Sequence, residues 1–542
     1  MRRYIPLKKL LNSLKNKTDV DMAKQFITGA WFHILYLLLF FACCLPAIDG
    51  FSDSLIIPKW YATAFVASII VISHCFLGNV INRNTTSTVI FTMLIVGISE
   101  CVFVLINEVL CAGIKPSVIT GTFDNPAGLA LYVCLCLPFT VMLILGGNKW
   151  WQRTAGILLT ASFIVILFIS KSRTGLISAG IIIAMALLSS KSRIFKNTTA
   201  KIALTICIFI AIGVYVTTQK HDSTSGRRFI IERTWDLICE APFTGHGKGG
   251  FNREYMKRQA DFFMKNPDSR YAMLADEVRH PLNEFAKAWV EYGALAPLLL
   301  LALIVAPIIM LWKKRVHYCT MSMAMTTILV FSCFSYPFNY PVTWVIMIMG
   351  YVQLFSQLIA ADRVFMRKQL TKSVFLLASI LVLTVLFKMY SNERKWYRAS
   401  QYALHGHFAE AEPLYKDLKA HYANNPYFLY NYTAELYHAG LFDDAIKTTK
   451  ECREYWSGYN LELLTGDIYR KLNQYDNAIQ SYQMASNMCP SRFAPLEGLY
   501  YTFLNKGDTT NARNISNIIS TKKMKIISVD ALRIKKETQY SN

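Results

Sequence analysis

The chain has 542 residues, 53% hydrophobic and only 17% charged, with a formal net charge of +22. Soluble domains carry ~25% charged residues, so this composition excludes an ordinary soluble enzyme. It also argues against a nucleic-acid binder, because much of the surplus lysine and arginine sits in short segments beside apolar runs, where it sets membrane orientation.

Taken in chain order, the sequence opens with a basic stretch, Lys8 to Lys24, ahead of a first apolar run. That run continues into further spans, so it reads as a signal anchor rather than a cleavable signal peptide, with residues 1–26 a cytoplasmic N-terminus. Apolar runs follow at roughly 27–46, 61–77, 88–112, 126–146, 154–170, 174–190, 201–218, 289–312, 318–335, 342–361 and 373–390. Their lengths suit helices crossing ~30 Å of hydrocarbon. Residues 27–390 are therefore expected to form an all-α, polytopic membrane bundle of about 11 transmembrane helices. Most of the 13 cysteines, Cys43, Cys44, Cys134, Cys136 and Cys207 among them, lie inside these runs as small hydrophobes. No Cys/His spacing suggests zinc, and no metal or other cofactor is expected.

Short loops set the orientation. Lys8, Lys9, Lys15, Lys17, Arg83, Lys149, Arg153, Lys191, Arg193, Lys196, Lys313, Lys314, Arg315, Arg363, Arg367 and Lys368 fall on alternate sides, which are assigned to the cytoplasm. The opposite face then holds the Lys171–Arg173 turn, the long segment 219–288 and the whole C-terminus. Lys171 and Arg173 break the charge rule, which makes them functional candidates.

Segment 219–288 is the one long polar run among the spans, and loops of that length are usually functional. It carries Arg227, Arg228 and Arg233, then the glycine cluster Gly245-His246-Gly247-Lys248-Gly249-Gly250, then His280-Pro281-Leu282-Asn283-Glu284 where the next apolar helix begins. The glycines fit neither nucleotide-binding pattern. A proline at the first helical position is favoured, which puts His280 at a helix start near the membrane. There an imidazole can serve as a general base or play a structural part. Arginine at the 170–175 turn can hold a phosphate bidentately or snorkel at a helix end.

Beyond Met389 the composition changes to an amphipathic helical array, assigned to residues 391–521, with a polar, loosely ordered tail at 522–542. Gly406-His407-Phe408-Ala409-Glu410-Ala411 repeats as Gly440-Leu441-Phe442-Asp443-Asp444-Ala445 and as Asn473-Gln474-Tyr475-Asp476-Asn477-Ala478. It recurs more faintly around Gly507 and Ala512. The step of ~34 residues is that of tetratricopeptide helix pairs. Such an array either binds a peptide or protein partner on a concave surface or acts as a platform packed on the long loop.

These motifs together resemble the O-antigen ligase-like superfamily of O-antigen ligases, O-antigen polymerases and bacterial O-oligosaccharyltransferases. Ser172-Arg173-Thr174-Gly175 resembles its S-R-[ST]-G turn, and Gly226-Arg227 through Pro242 and Gly245-x-Gly247 to Phe251 is similar to its G-R…P-x-x-G-x-G…F segment. Asn283, Glu291 and Gly293 resemble its H-N-x9-G-x-x-G motif, with departures: Leu282 stands where the family histidine is usual, Ala296 replaces the last glycine, and Ile231 replaces an aromatic.

The resemblance implies a periplasmic, metal-independent glycosyltransferase of the EC 2.4 class in the bacterial inner membrane, with the long loop and repeats periplasmic. The donor would be an undecaprenyl-pyrophosphate-linked glycan. Arg173, Arg227 and Arg228 would hold its pyrophosphate, with Ser172, Gly245, Gly247 and Asn283 in support. His280 would take or orient the acceptor proton, with Glu284 and Glu291 as further candidates. The acceptor would be lipid A-core or a protein Ser/Thr, and the repeat array leans toward protein. Rival readings are an O-antigen or exopolysaccharide polymerase, a transporter or flippase, for which Glu100 is the main intramembrane ionisable residue, and a membrane-anchored repeat scaffold.

Overall fold

A computed structural model of the chain describes residues 17–77, 84–110, 119–147, 149–189, 198–218, 221–313, 319–358 and 365–539. Every regular element among them is a helix. In chain order these are α1 Lys17–Cys43, α2 Ile57–Leu77, α3 Asn84–Phe103, α4 Pro126–Gly146, α5 Trp150–Ile169, α6 Arg173–Ser189 and α7 Thr198–Thr218. The long loop then contributes α8 His221–Glu240, α9 Gly250–Lys265 and α10 Glu284–Tyr292. Apolar helices resume with α11 Leu295–Lys313, α12 Cys319–Phe334, α13 Pro341–Leu358 and α14 Phe365–Leu404. The repeats follow as α15 Phe408–Tyr422, α16 Pro426–His438, α17 Phe442–Arg453, α18 Tyr459–Lys471, α19 Tyr475–Met488, α20 Ala494–Lys506 and α21 Thr509–Thr521, closed by α22 Val529–Glu537.

Among the described residues six stretches are long and apolar enough to cross a membrane: Ile57–Leu77, Thr88–Leu110, Pro126–Gly146, Trp150–Ile169, Leu295–Lys313 and Thr371–Leu404. Five shorter apolar helices occupy the remaining positions at which spans are expected. The basic residues Lys8, Lys9, Lys15, Arg83, Lys191, Arg193, Lys196, Lys314, Arg315 and Arg363, on which the orientation argument leans, lie outside the described residues.

The described chain divides into two compact units. The first comprises the described parts of Met1–Ile212, Ile304–Phe331 and Pro337–Glu393. Its centre is α4, buried continuously from Gly128 to Val141. Asn125 starts this helix by accepting from the Ala127 and Gly128 amides at 2.7 and 2.9 Å, and Pro126 sits where its missing N–H costs nothing. Small residues let neighbours approach: a Cβ on Gly97 would lie 3.0 Å from Cys136 Sγ, and one on Gly156 2.9 Å from the Thr140 carbonyl. Glu100 is held in place, accepting the Thr122 hydroxyl at 2.8 Å.

The second unit joins Gly213–Leu303 and Ser332–Tyr336 to the described part of Arg394–Asn542. It contains four helix hairpins whose turns share one backbone device. Gly406, Gly440, Asn473 and Gly507 adopt φ of 80°, 78°, 58° and 82°. The following amides of His407, Leu441, Gln474 and Asp508 each return 2.9 Å to the carbonyls of Tyr402, Leu436, Tyr469 and Phe503. This is the 6→1 bond of a Schellman cap. Ala411, Ala445, Ala478 and Ala512 are fully buried between the paired helices.

The tail departs from expectation. Residues Val529–Glu537 form a helix capped by Ser528, and Ala531 and Ile534 are buried in the last repeat's core.

The loop helices pack on the repeats in one core, in which Leu237, Phe251, Tyr255 and Val290 meet Tyr459, Ala485 and Met488. Buried Gln259 pins the two, its amide nitrogen donating to the Met488 carbonyl at 2.6 Å and to the Asp276 carbonyl at 3.0 Å. Gln259→Leu leaves both carbonyls unsatisfied. It is expected to cost ~1–3 kcal/mol and to raise protease cleavage between loop and repeats, measured by limited proteolysis of the purified protein.

Candidate functional site

Arg173 is the first residue of α6, half-buried, after a turn in which Lys171 takes φ 53°. Ser172 is buried and caps the helix, its Oγ accepting the Gly175 amide at 3.2 Å. Gly175 admits close packing, since a Cβ there would meet Leu167 Cδ2 at 2.8 Å and Ala130 Cβ at 3.0 Å. Arg173 thus stands at a helix N-terminus, where the helix dipole favours an anion.

The other candidates belong to the second unit. Arg227 and Arg228 are exposed near the start of α8. Arg228 pairs with Glu232 one turn on, at 2.8 Å. Arg233, by contrast, pairs with Asp236 at 2.8 Å and lies over the Phe229 and Phe262 rings, a structural role.

Gly245 is a close-approach residue, and its amide donates to the Ala241 carbonyl at 3.0 Å. Its φ is 67°, and a Cβ would lie 2.6 Å from the Glu291 backbone carbon and 2.7 Å from the Gly293 nitrogen. Gly293, φ 78°, is packed equally hard against the Phe243 carbonyl. Around this crossing the His246 amide donates to the Val290 carbonyl at 2.7 Å, while the Ala294 amide and the Trp289 indole both donate to the Pro242 carbonyl, at 2.9 and 2.8 Å. Gly247, φ 81°, has open space where a side chain would go.

Glu291, expected inside a span, lies instead in α10, separated from α11 by Gly293. It is buried, and burial raises its carboxyl above the usual range; Lys287, the Gly249 amide, which donates to it, and Lys248 all pull the other way. Glu291 therefore fastens the glycine turn. Glu284 is buried in the first turn of α10, where the helix dipole favours a carboxylate. Asn283 caps that helix, accepting the Ala286 amide at 2.9 Å, and its Nδ2 donates to the Cys333 carbonyl at 3.0 Å.

His280 stacks on Tyr336, ring centroids 4.4 Å apart. Burial, helped by the positive charges of Lys287 and Arg279, lowers its imidazole to about 4. It is neutral near pH 7, an acceptor but a weak base. Leu282, two residues on, takes φ 58°, a strained conformation for a leucine of the kind that collects at functional sites. Nothing in the sequence marks it, because no glycine or asparagine stands there.

The depressed value of His280 fixes a pH dependence. The unfolded chain binds more protons than the folded one between about 4 and the ordinary ~6.5. Stability is thus intact above ~6.5 and falls as pH drops toward 4, by ~3 kcal/mol in order of magnitude. Thermal-inactivation midpoints at pH 7 and 4.5 measure this, and His280→Gln is expected to shrink the difference.

Residues 156–301 match the family model described as O-antigen ligase, which supports a membrane glycosyltransferase of the ligase or polymerase type. A search of curated proteins returns no match. Among solved structures the chain is similar to the crystal structure of yeast Tom70, at 11% identity and TM-score 0.25, covering 89% of this chain and 92% of that one. It is also similar to the crystal structure of the APC/C hetero-tetramer Cut9-Hcn1, at 12% identity and TM-score 0.25, covering 89% and 90%. Scores this low describe no shared fold, and the repeat assignment rests on the four hairpins of the chain itself.

Proposed function

We propose that the protein transfers a glycan from a lipid-linked pyrophosphate, of the undecaprenyl type, to an acceptor hydroxyl on the periplasmic side of the bacterial inner membrane. The observation that carries the reading lies in the matched segment: Arg173 opens α6, Arg227 lies in the second turn of α8, and among the described residues the two apolar helices between them are α6 and α7. If both cross the membrane, the chain returns to the side it left, and the two arginines share a face. The same reading takes all eleven apolar helices as spans.

In this scheme Arg173 and Arg227 grip the pyrophosphate with planar forks, and Arg228 adds charge in competition with Glu232. The acceptor oxygen bonds to the anomeric carbon as the carbon–oxygen bond to phosphate breaks, and the lipid pyrophosphate leaves with the bonding pair. Its growing charge is what fixed cations stabilise most. The acceptor's proton passes to His280 or, through it, to the leaving phosphate. Neutral His280 suits an acceptor role, and the donor's negative charge would offset Lys287 and Arg279 and strengthen the imidazole as a base. Asn283, capping α10, and the Gly245–Gly293 crossing hold the segment that carries His280.

A protein acceptor is favoured over lipid A-core by the company His280 keeps. The guanidinium of its neighbour Arg279 lies over the Tyr427 ring of the repeats at 5.6 Å, and Asp276 pairs with Arg492 at 2.8 Å. A groove of about 400 Å³ between α18, α19 and α20, with Asp467, Arg470 and Tyr482 in its wall, offers the repeats a place for a polypeptide partner. Glycoproteomics beside lipopolysaccharide profiling in a strain lacking the gene tests this. Loss of a protein-linked glycan supports the protein acceptor, loss of the O-antigen ladder supports lipid A-core or polymerisation, and unchanged profiles in both overturn the enzyme.

A further inference from the structure

The exposed side of α8 is not explained by its part in the core. Phe229, Thr234, Leu237 and Ile238 are buried, which accounts for one face of the helix. Arg227, Ile231 and Trp235 follow one another at four-residue steps, so they form a stripe along the edge of that face. Ile231 is 55% exposed and Trp235 54%, and in the turn beyond the helix Phe243 is 84% exposed. Scattered apolar residues need no account; a run of this kind, with arginines at one end, does.

Its surroundings say what covers it. Trp235 packs edge-on against Trp289, centroids 5.8 Å apart. The Trp289 indole and the Ala294 amide meet on the Pro242 carbonyl, one residue before Phe243. Ala294 immediately precedes Leu295, the first residue of α11, one of the helices long and apolar enough to cross a membrane. Leu295, Leu298 and Leu299 are themselves strongly exposed, as lipid-facing residues of a spanning helix should be. The crossing of Gly245 over Gly293 leaves this junction no play. The apolar stripe of α8 is therefore tied, through Trp235, Trp289 and the Pro242 carbonyl, to the start of a helix long and apolar enough to span.

We propose that Ile231, Trp235 and Phe243 form a membrane-interfacial face that seats α8 in the headgroup layer beside the entry of α11. The occupant is the bilayer, not a second protein. Tryptophan is enriched at this boundary, and a helix with tryptophan or phenylalanine on one side and arginines on the other lies along it. Arg227 and Arg228 then stand at the depth of lipid phosphates. This deepens the proposed function, because a lipid-borne pyrophosphate occupies the same layer, but the seating itself does not depend on catalysis.

The test uses the full chain in nanodiscs of phosphatidylethanolamine and phosphatidylglycerol, with a photo-crosslinking amino acid at position 235 or 243 and, as control, at exposed Lys447 of the repeats. Lipid adducts at 235 and 243 exceeding those at 447 by about tenfold are expected. Adducts to another polypeptide, or lipid labelling no greater than at 447, overturn the proposal. In transfer assays Phe243→Glu is expected to raise KM for the lipid-linked donor about tenfold, equivalent to ~1.4 kcal/mol, with kcat unchanged, while Phe243→Leu stays near wild type. Lipid adducts in a preparation that transfers no glycan would sink the enzymatic reading and leave the seating standing.

Discussion

Replacing Arg227 with alanine is expected to cut glycan transfer by ~10²–10³ in kcat, the usual cost of losing one fixed donor to developing charge, while the protein stays in the membrane. Arg227 is exposed near the start of α8, so its removal opens no cavity, and the amount of variant in the membrane fraction separates lost chemistry from lost folding. Arg173→Ala is expected to fall as far. The double variant should be little worse than either single one, because two groups on one diphosphate act as a unit. Lysine at either position should rescue poorly, lacking the planar fork. Arg228→Ala should cost less, since Glu232 already claims that guanidinium. An in-cell glycan blot reads all of these, and normal product in both Arg227→Ala and Arg173→Ala removes the donor site.

What the sequence discloses, and what it hides, follows from whether the determinant is local. The repeats were legible because each hairpin writes its own geometry into neighbouring residues: a glycine or asparagine able to take positive φ, then an alanine five residues on where two helices touch. The apolar helices were legible from composition alone. The helices α8 and α9 inside the long loop were not, because their buried face is defined by repeat residues more than 200 positions away. The break between α10 and α11 was hidden by the apolar run after Gly293, which reads as one span. The boundary expected near residue 390 has no helix break to mark it: α14 runs from Phe365 to Leu404, its polar half containing no glycine or proline to stop it, and the two compact units part inside it, between Glu393 and Arg394. At the candidate site, the sequence offers Gly245 as a supporting residue and Glu291 as a candidate for proton handling; each is engaged by a partner more than forty residues away, a fact no local pattern carries.

Gly293→Ala is expected to be the most disruptive single-methyl change in the long loop. Gly293 sits at φ 78° and ψ −177°, a region essentially closed to residues with a side chain, at a cost of ~1–3 kcal/mol for the backbone alone. The added carbon would also drive into the Phe243 carbonyl and lie 2.9 Å from the Thr244 amide nitrogen. Backbone on both sides leaves nothing flexible to yield, so the junction holding Pro242, Trp289 and Ala294 must part. Gly247→Ala separates the two contributions: its φ of 81° carries the same kind of backbone penalty, but the space beside it is open. Quantitative blots of the membrane fraction, with limited proteolysis of the loop, should show Gly293→Ala depleted and cleaved near residue 243 while Gly247→Ala accumulates at near-normal levels. Equal accumulation of the two would mean that the crossing is not what holds the His280 segment against the mouth of α11.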